Sequence, residues 1–128
     1  MVNLITKGVS ISVKIKFREK HSNPMKGLFV FSYFITIENQ NDFTVQLLRR
    51  KWKIFDSSGG NTEVEGKGVV GEQPIILPGE HYSYESACSL VSPIGRMYGN
   101  YLMARKTDNK TFKVEIPEFE LVVPFVLN

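Results

Sequence analysis

Cysteine is all but missing from this chain. Cys88 is the only one among 128 residues, which excludes an intrachain disulfide framework and suits a reducing compartment. Histidine is almost as scarce. His21 and His81 are the only two, and they form no H-x-x-x-H pair, so no metal site or cofactor is expected from imidazole spacing. Long apolar runs are absent as well. The longest nearly uninterrupted one, Leu28 to Ile37, contains Ser32 and Thr36 and is too short to span a bilayer. The opening residues Met1-Val2-Asn3-Leu4-Ile5-Thr6-Lys7 lack the apolar stretch of a signal peptide. These absences together predict a cytoplasmic location and no membrane partner. Charge of one sign does not dominate either, since 16 Lys and Arg stand against 13 Asp and Glu. The net charge of +3 permits anionic partners without demanding them. Nowhere does an apolar stripe recur at i, i+3, i+4, i+7 between helix caps. A parallel α/β sheet, which needs crossover helices, is thereby excluded.

What is present is a period of two. Val9, Ile11, Val13, Ile15 and Phe17 alternate with Ser10, Ser12, Lys14, Lys16 and Arg18, the pattern of a half-buried strand with a basic outer face. Leu28 to Glu38 is richer still in β-formers, with Phe29, Phe31, Tyr33, Ile35 and Ile37 on one face and Leu28, Val30 and Phe34 on the other. If one of those faces is uncovered, a symmetric dimer contact is expected. Asn39-Gln40-Asn41-Asp42 reads as a turn. In Phe43 to Phe55, parity groups Leu48, Trp52 and Ile54, with Arg50 among them, while Arg49, Lys51 and Lys53 point the other way. Turn clusters follow, then a short polar strand Thr62–Glu65, a strand through Tyr82, Tyr84, Ser86, Cys88 and Leu90, a structured loop over Ser92–Gly99, another strand over Asn100 to Arg105, and paired segments around Pro117. Pro117 inside a strand pattern predicts an edge or a bulge. The reading is an all-β sandwich of about eight strands in a single domain over residues 1–128. Trp52, Phe17, Ile35 and Tyr84 are expected in its core. With 42% apolar and 23% charged residues, such a core is achievable without staples.

The most visible motif is Gly66-Lys67-Gly68-Val69-Val70-Gly71, a match to G-x-G-x-x-G. In dinucleotide-binding proteins these glycines bring backbone amides to a pyrophosphate at a helix N-terminus. Here β-branched Val69 and Val70 precede Pro74 and Pro78, so no helix starts in the motif. A tight strand connection at positive φ is the favoured reading, with a nest of N–H groups for a phosphate as its alternative. Cys88 fits the inward face of its strand as a small core residue. The pairs Glu63 and Glu65, and Glu118 and Glu120, read as solvated faces, and no G-x-S-x-G elbow occurs. Lys14, Lys16 and Arg18 together with Arg49, Lys51 and Lys53 would track phosphates only if their strands were neighbours. Protection of strand edges is the preferred explanation, so a nucleic-acid partner is not expected.

Longer runs resemble a known family. Arg49-Arg50-Lys51-Trp52-Lys53-Ile54-Phe55-Asp56, then Gly66 through Pro74, then Pro78-Gly79-Glu80-His81-Tyr82-Ser83-Tyr84 are similar to ApaG domain proteins. Ser92-Pro93-Ile94-Gly95-Arg96-Met97-Tyr98-Gly99-Asn100-Tyr101 and Phe112 through Phe119 continue the resemblance, which covers about Val9 to Val123. It departs at Ser92, where threonine is common in the family; the hydroxyl is kept. The resemblance implies an immunoglobulin-like or fibronectin type III-like sandwich and does not imply an enzyme. It also implies a partner-binding module, because similar domains stand alone in bacteria and sit inside larger eukaryotic proteins. The bacterial family is associated with cobalt and magnesium efflux.

The expectation from sequence is therefore a non-enzymatic module that binds another protein. The candidate surface is Gly66–Pro74 with Ser92–Tyr101, and the candidate residues are Gly66, Lys67, Gly68, Gly71, Gln73 and Arg96. The alternative is a sensor or enzyme holding a nucleotide or pyrophosphate on Gly66–Gly71, for which weak anion binding would suffice as a start.

Overall fold

The alternating pattern becomes nine strands in a computed structural model that describes residues 1–126. They are β1 (Val2–Thr6), β2 (Val9–Phe17), β3 (Phe29–Asn39), β4 (Val45–Asp56), β5 (Gly60–Lys67), β6 (Ile75–Ile76), β7 (His81–Leu90), β8 (Ile94–Arg105) and β9 (Thr111–Val122). All pairings are antiparallel. One sheet has the order β1-β2-β3-β7 and the other β5-β4-β8-β9, with the short β6 also paired to β4. The two sheets face one another as a sandwich, and β1 and β2 lie against β9 along one side.

The inward residues are those the alternation singles out. Val9, Ile11 and Val13 of β2, Phe31, Ile35 and Ile37 of β3, and Val114, Ile116 and Leu121 of β9 are buried. Trp52 is buried at the centre, with ring centroids 5.4 Å from Tyr33, 5.9 Å from Phe119 and 6.4 Å from Tyr101. Edge-to-face contacts of this kind add to the burial energy of large aromatics. Of the four expected core residues, Trp52 and Ile35 are buried. Phe17 and Tyr84 are only partly buried and pack against the core from its margin. Phe17 sits at the end of β2, where its ring meets Phe31 and Phe125. Tyr84 stays at the margin because its hydroxyl hydrogen-bonds that of buried Tyr101. Burial pushes the hydroxyls of Tyr33, Tyr84 and Tyr101 up from their ordinary value, so all three remain protonated.

Two irregularities redirect the parity. Leu47 pairs with Met103 and Arg49 with Leu102, so Leu48 is an extra residue on β4. The bulge flips the alternation. Leu47, not Leu48, joins Val45 in the core, which corrects the grouping of Leu48 with Trp52. The second lies on β9, where Met97 pairs with Phe119 and Gly99 with Ile116. Pro117 falls in that bulge and on the edge strand of its sheet, where a residue without an N–H is tolerated. Ile116 and Phe119 thus both reach the core.

Further departures concern boundaries. Val2–Thr6 forms a strand outside the alternating runs, joined to β2 by a turn with Lys7 and Gly8 at positive φ. Ser92–Gly99, read as a loop, mostly belongs to β8. There Gly95 and Gly99 lie against the β4 backbone; a Cβ on Gly99 would stand 2.0 Å from the Lys51 carbonyl oxygen. The two basic rows are not neighbours, because β2 and β4 belong to different sheets. The outer face of β3 is neither bare nor sealed: Val30 and Phe34 are half-buried, and the Arg18 guanidinium lies 6.0 Å from the Phe34 ring centre.

The end carrying the β4–β5 and β7–β8 connections is tied by one carboxylate. Asp56 accepts from the N–H of Val91 at 2.7 Å, the N–H of Ser58 at 3.1 Å and the hydroxyl of Ser92. Partial burial alone would raise this carboxyl, but the hydrogen bonds, that from Ser92 foremost, outweigh it and hold Asp56 below its ordinary value. A depressed folded-state value contributes stability above the unfolded value and loses it as pH falls through the folded one. Asp56→Asn is therefore expected to cost about 1–3 kcal/mol at neutral pH. It should also shrink the drop in denaturation midpoint between pH 5 and pH 2. Midpoints from urea melts at several pH values check both, and an unchanged acid drop would contradict the role given to Asp56.

Candidate functional site

The glycine motif sits where the edge of the second sheet is interrupted. β5 pairs with β4 from Arg49 to Asp56, and β6 pairs with it at Val45 and Gln46. Between those two ranges lies the Leu48 bulge. The segment from Gly68 to Gln73 bridges it: the Gly68 N–H and the Gln73 side-chain amide both donate to the Leu48 carbonyl, each at 2.9 Å. Gln46 Nε2 returns a hydrogen bond to the Gln73 carbonyl at 3.2 Å. Val69 and Glu72 exchange both backbone hydrogen bonds, at 2.8 and 2.9 Å. They close a tight hairpin whose central residues, Val70 and Gly71, both have positive φ, as a type I′ turn requires.

Arg50 completes the arrangement. Its Nη1 donates to the carbonyls of Lys67 at 3.2 Å and Gly68 at 3.0 Å. To get there the guanidinium crosses Gly66, where a Cβ would come within 2.7 Å of it. Gly68 is constrained more severely. Its φ is +63°, and a Cβ would stand 2.1 Å from the Glu72 carbonyl oxygen. The amides of Gly68, Val69 and Glu72 thus donate within the sandwich, and the nearest guanidinium faces carbonyls, not an open anion cradle.

Val70 is strained. A β-branched residue at φ +43° lies where L side chains are costly, and here the side chain is exposed. Val70→Asn creates the Asn-Gly pair that type I′ turns favour and is expected to stabilise the protein by about 1 kcal/mol. A thermal or urea melt checks this; destabilisation would contradict the turn geometry.

The other candidate residues separate. Gly66, Lys67, Gly68 and Gln73 are gathered around Arg50 and Leu48, with Gly71 at the hairpin tip. Arg96 pairs with Phe55, six positions along β4 from Arg49, the partner of Lys67; that is about 20 Å at strand rise. Arg96 is engaged there: its guanidinium stacks 4.5 Å from the Phe55 ring centre and its Nε lies 3.4 Å from Glu118. Glu63 and Glu65 are exposed and both reach Lys51, at 2.9 and 3.5 Å. Cys88 is half-buried, and burial first, then the Asp56 charge, push its thiol up to about 12, so it is a poor nucleophile near neutral pH.

Sequence reasoning missed the opposite end. Asn39 reads as a turn residue, yet it is fully buried. Its Nδ2 donates to the carbonyls of Phe43 at 2.8 Å and Ile76 at 3.0 Å, and its Oδ1 accepts from the N–H of Asn41. This fixes the β3–β4 connection beside the β1–β2 turn and the β8–β9 connection, through Gln40 N–H to Gly8 and Lys106 N–H to Thr44. Between them opens a recess of about 260 Å³ lined by Lys7, Phe43, Arg105, Lys110, Thr111 and Phe112. No local pattern marks it, because its walls come from three separate connections.

The ApaG domain profile matches residues 19–105. A protein named ApaG from Anaeromyxobacter dehalogenans (strain 2CP-1) is 45% identical over 128 residues, the full length of both chains. The chain belongs to the ApaG domain family. ApaG of Vibrio cholerae (strain O395) is 48% identical over 120 residues, 94% of each chain. A solved structure described as an ApaA protein from Bordetella pertussis superposes with a TM-score of 0.87 at 37% identity, covering 91% of this chain and 94% of that one. A second solved structure gives 0.88 at 35% identity, over 98% and 94%. The sandwich, its strand order and the bridging role of the glycine segment are thus described for an ApaG domain. Among the described residues, no helix is long and apolar enough to cross a membrane.

Proposed function

We propose that this ApaG domain is a non-enzymatic module that binds another protein. The observation carrying this reading is a division of labour between the two ends and edges of the sandwich. The glycine segment that invites a nucleotide is engaged in bridging a bulge, whereas three connections, one held by Asn39 and joined to the others by backbone hydrogen bonds, display an open apolar recess at one end. Loops presented by a rigid scaffold are where such folds commonly place recognition. The order β2-β3-β7 facing β5-β4-β8-β9 supports a fibronectin type III-like description, with β1 as an added edge strand. In an immunoglobulin-like frame, the β3–β4 and β8–β9 connections occupy the positions of two recognition loops. In this reading a link to cobalt or magnesium efflux runs through the bound partner. Among the described residues, no three His, Cys, Asp or Glu gather as a metal site.

The test is site-specific photo-crosslinking in cells of the native host. A benzophenone amino acid replaces Thr111 at the loop end, Thr62 on β5, Val70 on the glycine hairpin or Tyr98 on β8. The expected result is a discrete protein adduct from at least one position. Absence of an adduct from all four, with the protein folded and abundant, would contradict the proposal.

A further inference from the structure

The recess at the Asn39 end is small, apolar and ringed by positive charge. At about 260 Å³ it falls below the roughly 300–1,000 Å³ of sites for drug-sized ligands. That size suits one large side chain better than a nucleotide. Phe43 and Phe112, both half-buried and packed on the core, form its walls. Thr111 is the only neutral polar side chain in the lining, which is poor provision for reading a base edge. Arg105 is held in place, forked onto Asp108 at 3.1 and 3.3 Å with its guanidinium 5.1 Å from the Phe43 ring centre. Lys7 and Lys110 are exposed at the rim, and among the described residues neither is in an ion pair. Lys7 is also fixed by its backbone, at φ +49° and with its carbonyl accepting from Asn41 Nδ2 at 3.0 Å. The apolar floor is thus complete within the chain; among the described residues Lys7 is in no ion pair, and Lys110 has beside it only the Asp108 carboxylate, which is already forked onto Arg105.

We propose that this recess receives one aromatic or large aliphatic side chain from an acidic segment of a partner protein, whose carboxylates lie beside Lys7 and Lys110. The proposal rests on the binding-module reading and names the partner's chemistry. Apolar contact provides the anchor, and the rim charges select an acidic flank and speed encounter.

The probe is the blocked pentapeptide Asp-Glu-Phe-Glu-Asp, titrated into the full ¹⁵N-labelled chain at low salt. Saturable shifts are expected at the amides of Lys7, Phe43, Arg105, Lys110, Thr111 and Phe112, with a dissociation constant on the order of 1 mM. Affinity should fall with added salt. Replacing the peptide's Phe by Ala, or its acids by Lys, should weaken binding by about tenfold or more. The double variant Lys7→Glu/Lys110→Glu changes only exposed groups. It should lose the acidic peptide by a similar factor and gain the Lys-flanked one, a reversal that a folding defect would not produce. Unmoved recess amides, or equal binding of acidic and basic peptides, would overturn the proposal. If a crosslinked adduct forms at another position at the same time, the module reading stands and only the recess is lost.

Discussion

Trp52→Ala is expected to destabilise the protein by about 3–5 kcal/mol, the range for removing a large aromatic from a core. The indole is buried on all sides, against Tyr33 from the first sheet and Tyr101 and Phe119 from its own. It also lies opposite Gly99 in the register of β4 and β8, where the strands approach too closely for a side chain on Gly99. Gly99 has no side chain to fill the space from that strand, so a cavity is expected. With a stability of a typical domain, about 5–15 kcal/mol, such a loss leaves a marginal fold. Urea denaturation followed by circular dichroism measures it. An unchanged midpoint would contradict the placement of Trp52 at the centre of the sandwich.

Gly68→Ala is expected to cost about 3 kcal/mol, from left-handed strain together with a clash against backbone. The clashing atom is the Glu72 carbonyl oxygen, which is fixed by its bond from the Val69 N–H, so relief requires opening the hairpin. Gly71→Ala is the internal comparison. Its φ is +82°, but a Cβ there meets nothing within 4 Å, so only the strain of about 1–2 kcal/mol applies. A phosphate-cradling motif would instead show both substitutions abolishing ligand binding with little effect on stability. Equal destabilisation by the two alanines would contradict the account of Gly68.

The legible part of the fold was the part governed by period two. The inward rows of β2 and β3, the placement of Trp52 and the bulge or edge at Pro117 follow from alternation and from the missing N–H of proline. The Leu48 bulge was not legible, since Leu47 and Leu48 are chemically equivalent and only the pairing with β8 decides which turns inward. β1 was passed over because Val2 to Thr6 is mostly exposed and its partner becomes clear only from the hairpin. At the site, the glycines were correctly suspected of a backbone role. What they accommodate, the Arg50 guanidinium and the Glu72 carbonyl, lies 16 residues before Gly66 and four after Gly68, and neither distance is set by a local pattern. Arg96 joins the candidate set because Ser92–Tyr101 reads as a second loop on a rigid scaffold, whereas the register places it on β8, far along the sheet. Composition reads Asn39 as a turn residue; its burial depends on the β3–β4 connection and distant Ile76 closing over its amide.

The most direct test of the central claim, that Gly66–Gly71 bridges a bulge and is not an anion site, is an amide-shift titration of the ¹⁵N-labelled protein. The titrants are pyrophosphate, ATP and a dinucleoside polyphosphate. The account predicts no saturable shift confined to residues 66–74, because the Gly68, Val69 and Glu72 amides already donate within the protein. Saturable shifts restricted to those residues at sub-millimolar ligand would contradict it and make the segment a phosphate-binding site.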